Sequence, residues 1–183
     1  VMSCATLGGA LERLVNYYPL ISSGSLLKLE LHDHIVKIVS IEVTKKVPRV
    51  FIDAGFSILL ALIRWLVPHY YVVPLGVELV YAPPGERGGL EEVFGRNLKF
   101  SAGHNVLVFP REICNYPLIT ASPKLDRLHA EFLKVQLESS PTGFASSKIR
   151  RAVAQSLALG VTPTLDSIAD ALKVSKRTLQ YLS

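Results

Sequence analysis

The 183-residue sequence predicts an α+β domain, a mixed or antiparallel sheet with covering helices, followed by an all-α helix-turn-helix segment. Three observations lead there. Strand-like and helix-like apolar periodicities alternate through the first 140 residues. A Ser-Ser-Pro-Thr-Gly stretch at 139–143 has linker composition. Everything after it has helical spacing. At 49% hydrophobic and 19% charged residues, the chain is expected to fold.

Residues 5–18 carry Leu7, Leu11, Leu14, Val15 and Tyr18 at helical spacing, with Thr6 placed to cap. Residues 26–30 and 35–43 alternate in part around the polar tripeptide His32-Asp33-His34, which reads as a hairpin. Residues 49–67 form a long, mostly apolar helix, expected to be buried on most sides. Its most apolar run, 56–67, is interrupted by Arg64 and stopped by Pro68. That is shorter than the about 20 residues a bilayer span needs. Residues 70–81, rich in Val and Tyr, read as a strand that Pro83-Pro84-Gly85 breaks. A short helix over 86–94, a strand or two over 98–109 and a strong helix over 123–138 come next. Leu125, Leu128, Phe132 and Val135 make the apolar stripe of that last helix.

Mean hydropathy is +0.33, yet no signal peptide is present in these residues. Cys4 and Cys114 make neither a disulfide framework nor a zinc site, and fit a reducing cytoplasm. Val1 is not an initiator and Ser183 stops inside a helical pattern, so the chain is expected to be a fragment cut at both ends. The expected division is 1–140, the α+β domain, and 141–183, the first part of a second, all-helical domain.

Charge supports that division. Residues 141–183 hold six basic residues, Lys148, Arg150, Arg151, Lys173, Lys176 and Arg177, against Asp166 and Asp170. Most of the net charge of +5 therefore sits in the last quarter, where a polyanion would be met. A helix over 145–159 ends at Gly160, which suits a left-handed C-terminal residue. Thr164 caps a second helix whose inner face is Leu165, Ile168, Ala169 and Leu172. After a tight turn, Ser175 caps a third helix that buries Leu179 and Leu182. This is helix-turn-helix spacing. The candidate DNA-contacting residues are Ser175, Lys176, Arg177, Thr178, Gln180 and Tyr181. Arg and Gln suit base edges and Lys suits phosphates.

The run Thr164-Leu165-Asp166-Ser167-Ile168-Ala169-Asp170-Ala171-Leu172, continuing Lys173-Val174-Ser175-Lys176-Arg177-Thr178-Leu179-Gln180, resembles the first helix-turn-helix of AraC/XylS-type transcriptional regulators. Lys173 stands where that family usually has glycine. Upstream, Thr6-Leu7-Gly8-Gly9-Ala10-Leu11-Glu12-Arg13-Leu14 with Tyr17-Tyr18 resembles the subfamily with an arabinose-binding-like sensor domain. So do Phe94-Gly95, Lys99-Phe100, Asn105, Leu107-Val108-Phe109-Pro110, Pro117-Leu118 and Pro123, with Ser122 where an aspartate is usual. The resemblance implies a cytoplasmic bacterial regulator that binds promoter DNA and senses a small metabolite, amino acids among the options, with homodimerisation expected. It also implies a second helix-turn-helix in full-length relatives, so DNA binding by these 183 residues alone is expected to be weak and salt-sensitive.

Other constellations point elsewhere only weakly. His32 and His34 lack a third metal ligand, and a solvated hairpin tip is the simpler reading. Gly85-Glu86-Arg87-Gly88-Gly89 lacks the lysine and hydroxyl of a phosphate loop. Tyr81, His104 and Arg111 are the candidate effector-binding residues, Arg111 suiting a carboxylate. No metal or cofactor site is expected. No nucleophile elbow, zinc-protease pair or dinucleotide fingerprint occurs, so an enzyme is not expected. The alternative is a stand-alone small-molecule-binding or dimerisation module without DNA binding. Trp65, Phe56, Tyr70 and Tyr71 read as core aromatics, or as part of a ligand cavity or dimer face.

Overall fold

In the computed structural model, residues 1–22, 25–42, 47–139, 149, 152–153, 155–157 and 159–172 are described. The chain begins with α1 (Leu7–Tyr17). Thr6 is extended and its side chain accepts the Gly9 N–H at 3.3 Å, so the helix starts where the sequence places its cap. Leu7, Ala10, Leu11 and Leu14 form the buried face. Glycine is required at position 8, because a Cβ there would lie 2.8 Å from the Cys114 carbonyl oxygen.

β1 (Ser25–Leu31) and β2 (Ile35–Glu42) form the expected hairpin, with exposed His32, Asp33 and His34 at its tip. α2 (Arg49–Leu66) is next, then β3 (Gly76–Glu78), α3 (Gly88–Phe94), β4 (Leu98–Lys99) and β5 (Asn105–Pro110). The five strands make one sheet in the order β1-β2-β5-β3-β4. All pairings are antiparallel except β3 with β4, so the sheet is mixed. A 3₁₀ turn, Arg111–Asn115, leads to α4 (Pro123–Ser139). Ser122 caps α4, its hydroxyl accepting the Leu125 N–H at 3.4 Å.

The core lies on one face of the sheet. Val36 and Ile38 of β2, Leu107 and Phe109 of β5 and Val77 of β3 pack with α1 and with Ile52, Phe56, Leu59, Leu60, Ile63 and Leu66 of α2. The opposite face carries a smaller cluster of Leu26, Val39, Ile41 and Val106. Further along, α5 (Leu165–Leu172) buries Ile168 and Ala169 against Ala152, with Ile149, Val153 and Leu172 around them. Gly160 has φ +71, the left-handed conformation expected of it. Thr164 Oγ1 accepts the Ser167 N–H at 3.1 Å, capping α5.

Five expectations change. The strand expected over 70–81 is only three residues long. Pro74 has no N–H to give a ladder, Tyr70 stacks on Tyr116 at 3.9 Å, and the Val72 carbonyl is taken by Arg64 Nε at 3.0 Å. α2 is buried on one side only: Val50, Phe51, Ile58 and Trp65 are exposed, so Trp65 is not a core aromatic. Tyr71 too is almost fully exposed. On α4 the stripe residues Leu125, Leu128 and Phe132 are exposed, and on α5 so is Leu165. The linker beyond Ser139, the third helix and all six tail basic residues lie outside the described residues. Among the described residues no helix is long and apolar enough to cross a membrane.

Candidate functional site

β2 sends Val36, Ile38, Ser40 and Glu42 to the same face of the sheet, because alternate strand residues share a face. The first two enter the core, and the last two are polar. Across the hairpin, Leu27 lies opposite Ser40 and Ser25 opposite Glu42. These four floor a cavity of about 550 Å³ between α1, α2 and the hairpin. Leu14 and Tyr18 close it from the α1 side, and Phe51, Ile52, Gly55, Phe56, Ile58, Leu59 and Leu62 wall it from α2. Its size and makeup, a mostly apolar wall with a few grouped polar atoms, suit a small organic ligand.

The polar groups are contiguous. Ser25 Oγ lies 3.4 Å from both Tyr18 OH and Ser22 Oγ. Ser40 Oγ and Asn105 Nδ2 each donate to Glu42 Oε1 at 3.3 Å. Asn105 is fully buried, and its Oδ1 accepts the Val80 N–H at 3.0 Å, so the amide is held in place from both ends. Burial pushes the Glu42 carboxyl above its ordinary value, against the opposing pull of the Ser40 and Asn105 hydrogen bonds.

The structure does not bring Tyr81, His104 and Arg111 together. Tyr81 OH donates to Asp53 Oδ1 on α2, and Arg49 lies over the Tyr81 ring at 5.1 Å. Burial first, then the Asp53 carboxylate, pushes the Tyr81 hydroxyl up to about 12. This residue fastens α2 to the segment after β3. His104 immediately precedes β5, half-buried, beside Asn105. Arg111 comes just after β5 at its other end, about 20 Å away along the strand, where Nη1 donates to the His32 carbonyl at 3.2 Å. None of the three lines the cavity. Of the residues that do, the sequence offers Phe56, on an apolar surface open to being a ligand cavity, and two polar positions, Ser40 and Glu42, on an otherwise apolar strand face.

α1 also reaches the rest of the chain. Arg13 makes a bidentate ion pair with Asp126 of α4, with Nη2 to Oδ2 at 3.1 Å. Ser3 Oγ donates to Asp126 Oδ1 at 3.3 Å and lies 3.0 Å from His129 Nδ1. The Arg13 hydrogen bonds hold the Asp126 carboxyl below the usual aspartate range. A second hollow of about 310 Å³ is lined by Glu12, Val15 and Asn16 of α1, by β1, and by Gln155.

A family model described as the arabinose-binding domain of AraC transcription regulators, N-terminal, matches residues 1–118. The chain belongs to this family. Every cavity-lining residue falls within the matched span. Among solved structures the chain is similar to the transcriptional regulator CdpR from Pseudomonas aeruginosa, at 19% identity and a TM-score of 0.57. The likeness covers 98% of this chain and 59% of that one, and at this identity it concerns the fold. The chain thus spans less than two thirds of that regulator's length. No curated protein matches.

Proposed function

We propose that the chain is the sensing and first DNA-reading part of a ligand-responsive transcriptional regulator acting in the cytoplasm. Residues 1–140 bind a small metabolite, and residues 141–183 carry the first helix-turn-helix of the DNA-binding domain. The observation that carries this reading is the 550 Å³ cavity inside the family-matched domain, walled by apolar side chains and polar at one end. The protein works by binding, not by turnover. The effector site is this cavity, in place of the set Tyr81, His104 and Arg111.

α1 is the element through which occupancy is passed on. It lines the cavity through Leu14, with Tyr18 just past its end, pairs with α4 through Arg13, and shares a hollow with Gln155. A ligand preferring one position of α1 therefore shifts the balance between arrangements of the DNA-binding part relative to the sensing part. On the DNA side, Ser175, Lys176, Arg177, Thr178, Gln180 and Tyr181 are the proposed contacts. The exposed apolar stripe of α2 supports a homodimer.

The test is fluorescence anisotropy with DNA from the gene's own promoter at several salt concentrations, using the chain extended through a second helix-turn-helix. A Lys176→Ala/Arg177→Ala variant serves as control. Tight, sequence-preferring binding that the variant loses supports the regulator. Equal binding to random DNA, or none, favours the stand-alone sensing module.

A further inference from the structure

The proposed sensing role leaves the ligand's chemistry open, and the cavity carries information about it. Its polar end is built from hydroxyls and one carboxyl: Tyr18, Ser22, Ser25 and Ser40 around Glu42. No lysine, arginine or histidine is among the described lining residues, and Glu42 is the one charged group among them. Ser40 and Asn105 both donate to the same carboxylate oxygen, Oε1. Directly across the hairpin from Glu42 stands Ser25, whose hydroxyl is already 3.4 Å from two other hydroxyls. An ionised carboxylate accepts at both oxygens, and in a partly dry site a cation is its most favourable partner. An anionic head group would meet like charge at Glu42 and no cation among these residues.

Resting on the cavity being the effector site, we propose that its ligand is an amphipathic amine: an apolar body against α2, and a protonated amino group set against Glu42 and the surrounding hydroxyls. The apolar body accounts for the wall of Phe51, Phe56, Ile58, Leu59 and Leu62. The amine accounts for a carboxylate kept at the end of an apolar strand face, where burial works against its ionised form. The carboxylate-bearing effector that Arg111 suggested has no place in this site, since Arg111 lies at the opposite end of β5.

Titration calorimetry with three probes of equal length separates the outcomes: n-octylamine, n-octanol and n-octanoate. The expected result is octylamine tightest, octanol weaker by roughly tenfold to a hundredfold, the range of a charge-assisted hydrogen bond, and octanoate weakest. The net positive charge of +5 disfavours unspecific amine binding, so the ranking is not a bulk electrostatic effect. Glu42→Gln brings octylamine down to the octanol level, with octanol unchanged. Gly55→Phe, placed where a Cβ meets nothing within 4 Å, fills the cavity and abolishes binding of all three. If octanoate binds tightest and Gly55→Phe blocks it, the amine is overturned and the cavity stands. If Gly55→Phe leaves octylamine binding intact, or if none of the probes binds, the amine proposal is overturned, and in the first case the cavity is not the binding site.

Discussion

Replacing Asn105 with leucine removes two hydrogen bonds while keeping a branched side chain of similar outline. The side chain is fully buried, so no water takes over directly. The Val80 N–H loses its 3.0 Å acceptor, which costs about 1–3 kcal/mol for an unpaired donor. Glu42 loses one of its two donors, a further contribution of about 1 kcal/mol. The sum is about 2–4 kcal/mol, which lowers Tm by roughly 6–12 °C in a chain of this size. Urea unfolding followed by circular dichroism measures the loss. It should be larger at neutral than at acid pH, because without Asn105 the ionised Glu42 is the form left short of a partner. His104→Ala, one residue away and half-buried, is expected to stay within about 0.5 kcal/mol. A loss below about 1 kcal/mol for Asn105→Leu, or one independent of pH, would refute the argument that Asn105 ties Glu42 to the segment after β3.

Other consequences are as direct. Gly8→Ala places a Cβ 2.8 Å from the Cys114 carbonyl and should destabilise by about 1–3 kcal/mol, whereas Gly55→Ala, in open space within α2, should stabilise by about 0.5–1 kcal/mol; chemical denaturation of both variants checks the contrast. The folded-state carboxyl of Glu42 is raised, so its proton stabilises the fold fully below the ordinary glutamate value of 4.5, and that contribution fades as pH rises through the folded value; Glu42→Gln should therefore gain in Tm over the parent as pH rises from about 4 to 7. Asp126 has the opposite sign: its lowered value gives stability present above 3.8 and lost as pH falls through the folded value, and Arg13→Met should flatten that acid limb in urea unfolding. Val50→Glu with Trp65→Glu puts charge on the exposed stripe of α2 outside the cavity; light scattering should show a shift from dimer to monomer with Tm nearly unchanged.

Local structure was legible where one short stretch decides it. Thr6 before an i, i+4 apolar pattern announces α1. A polar tripeptide between two alternating runs announces the hairpin, and Gly160 marks a left-handed helix end. Legibility failed where distant partners decide. Residues 70–75 have strand composition, but Pro74 and the claims of Arg64 and Tyr116 on their neighbours shorten the strand to Gly76–Glu78. The cavity is assembled from α1, the hairpin and α2, which only the fold brings together. Its trace in the sequence is the change along β2 from Val36 and Ile38 to Ser40 and Glu42 at alternate positions. Tyr81, His104 and Arg111 are polar groups beside strands. The extended chain between the last two puts them at opposite ends of β5, which strand geometry alone already implies.

The measurement that tests the central claim most directly is transcription from the gene's own promoter, read by a reporter, in cells carrying the parent, Gly55→Phe or Lys176→Ala/Arg177→Ala regulator at equal protein levels. If the chain senses through the α1–α2 cavity and acts through the helix-turn-helix, added octylamine changes output with the parent. It leaves output fixed with Gly55→Phe, and the double variant behaves as though no regulator were present. A Gly55→Phe regulator that responds as the parent does, or a double variant that still controls the promoter, would contradict the account.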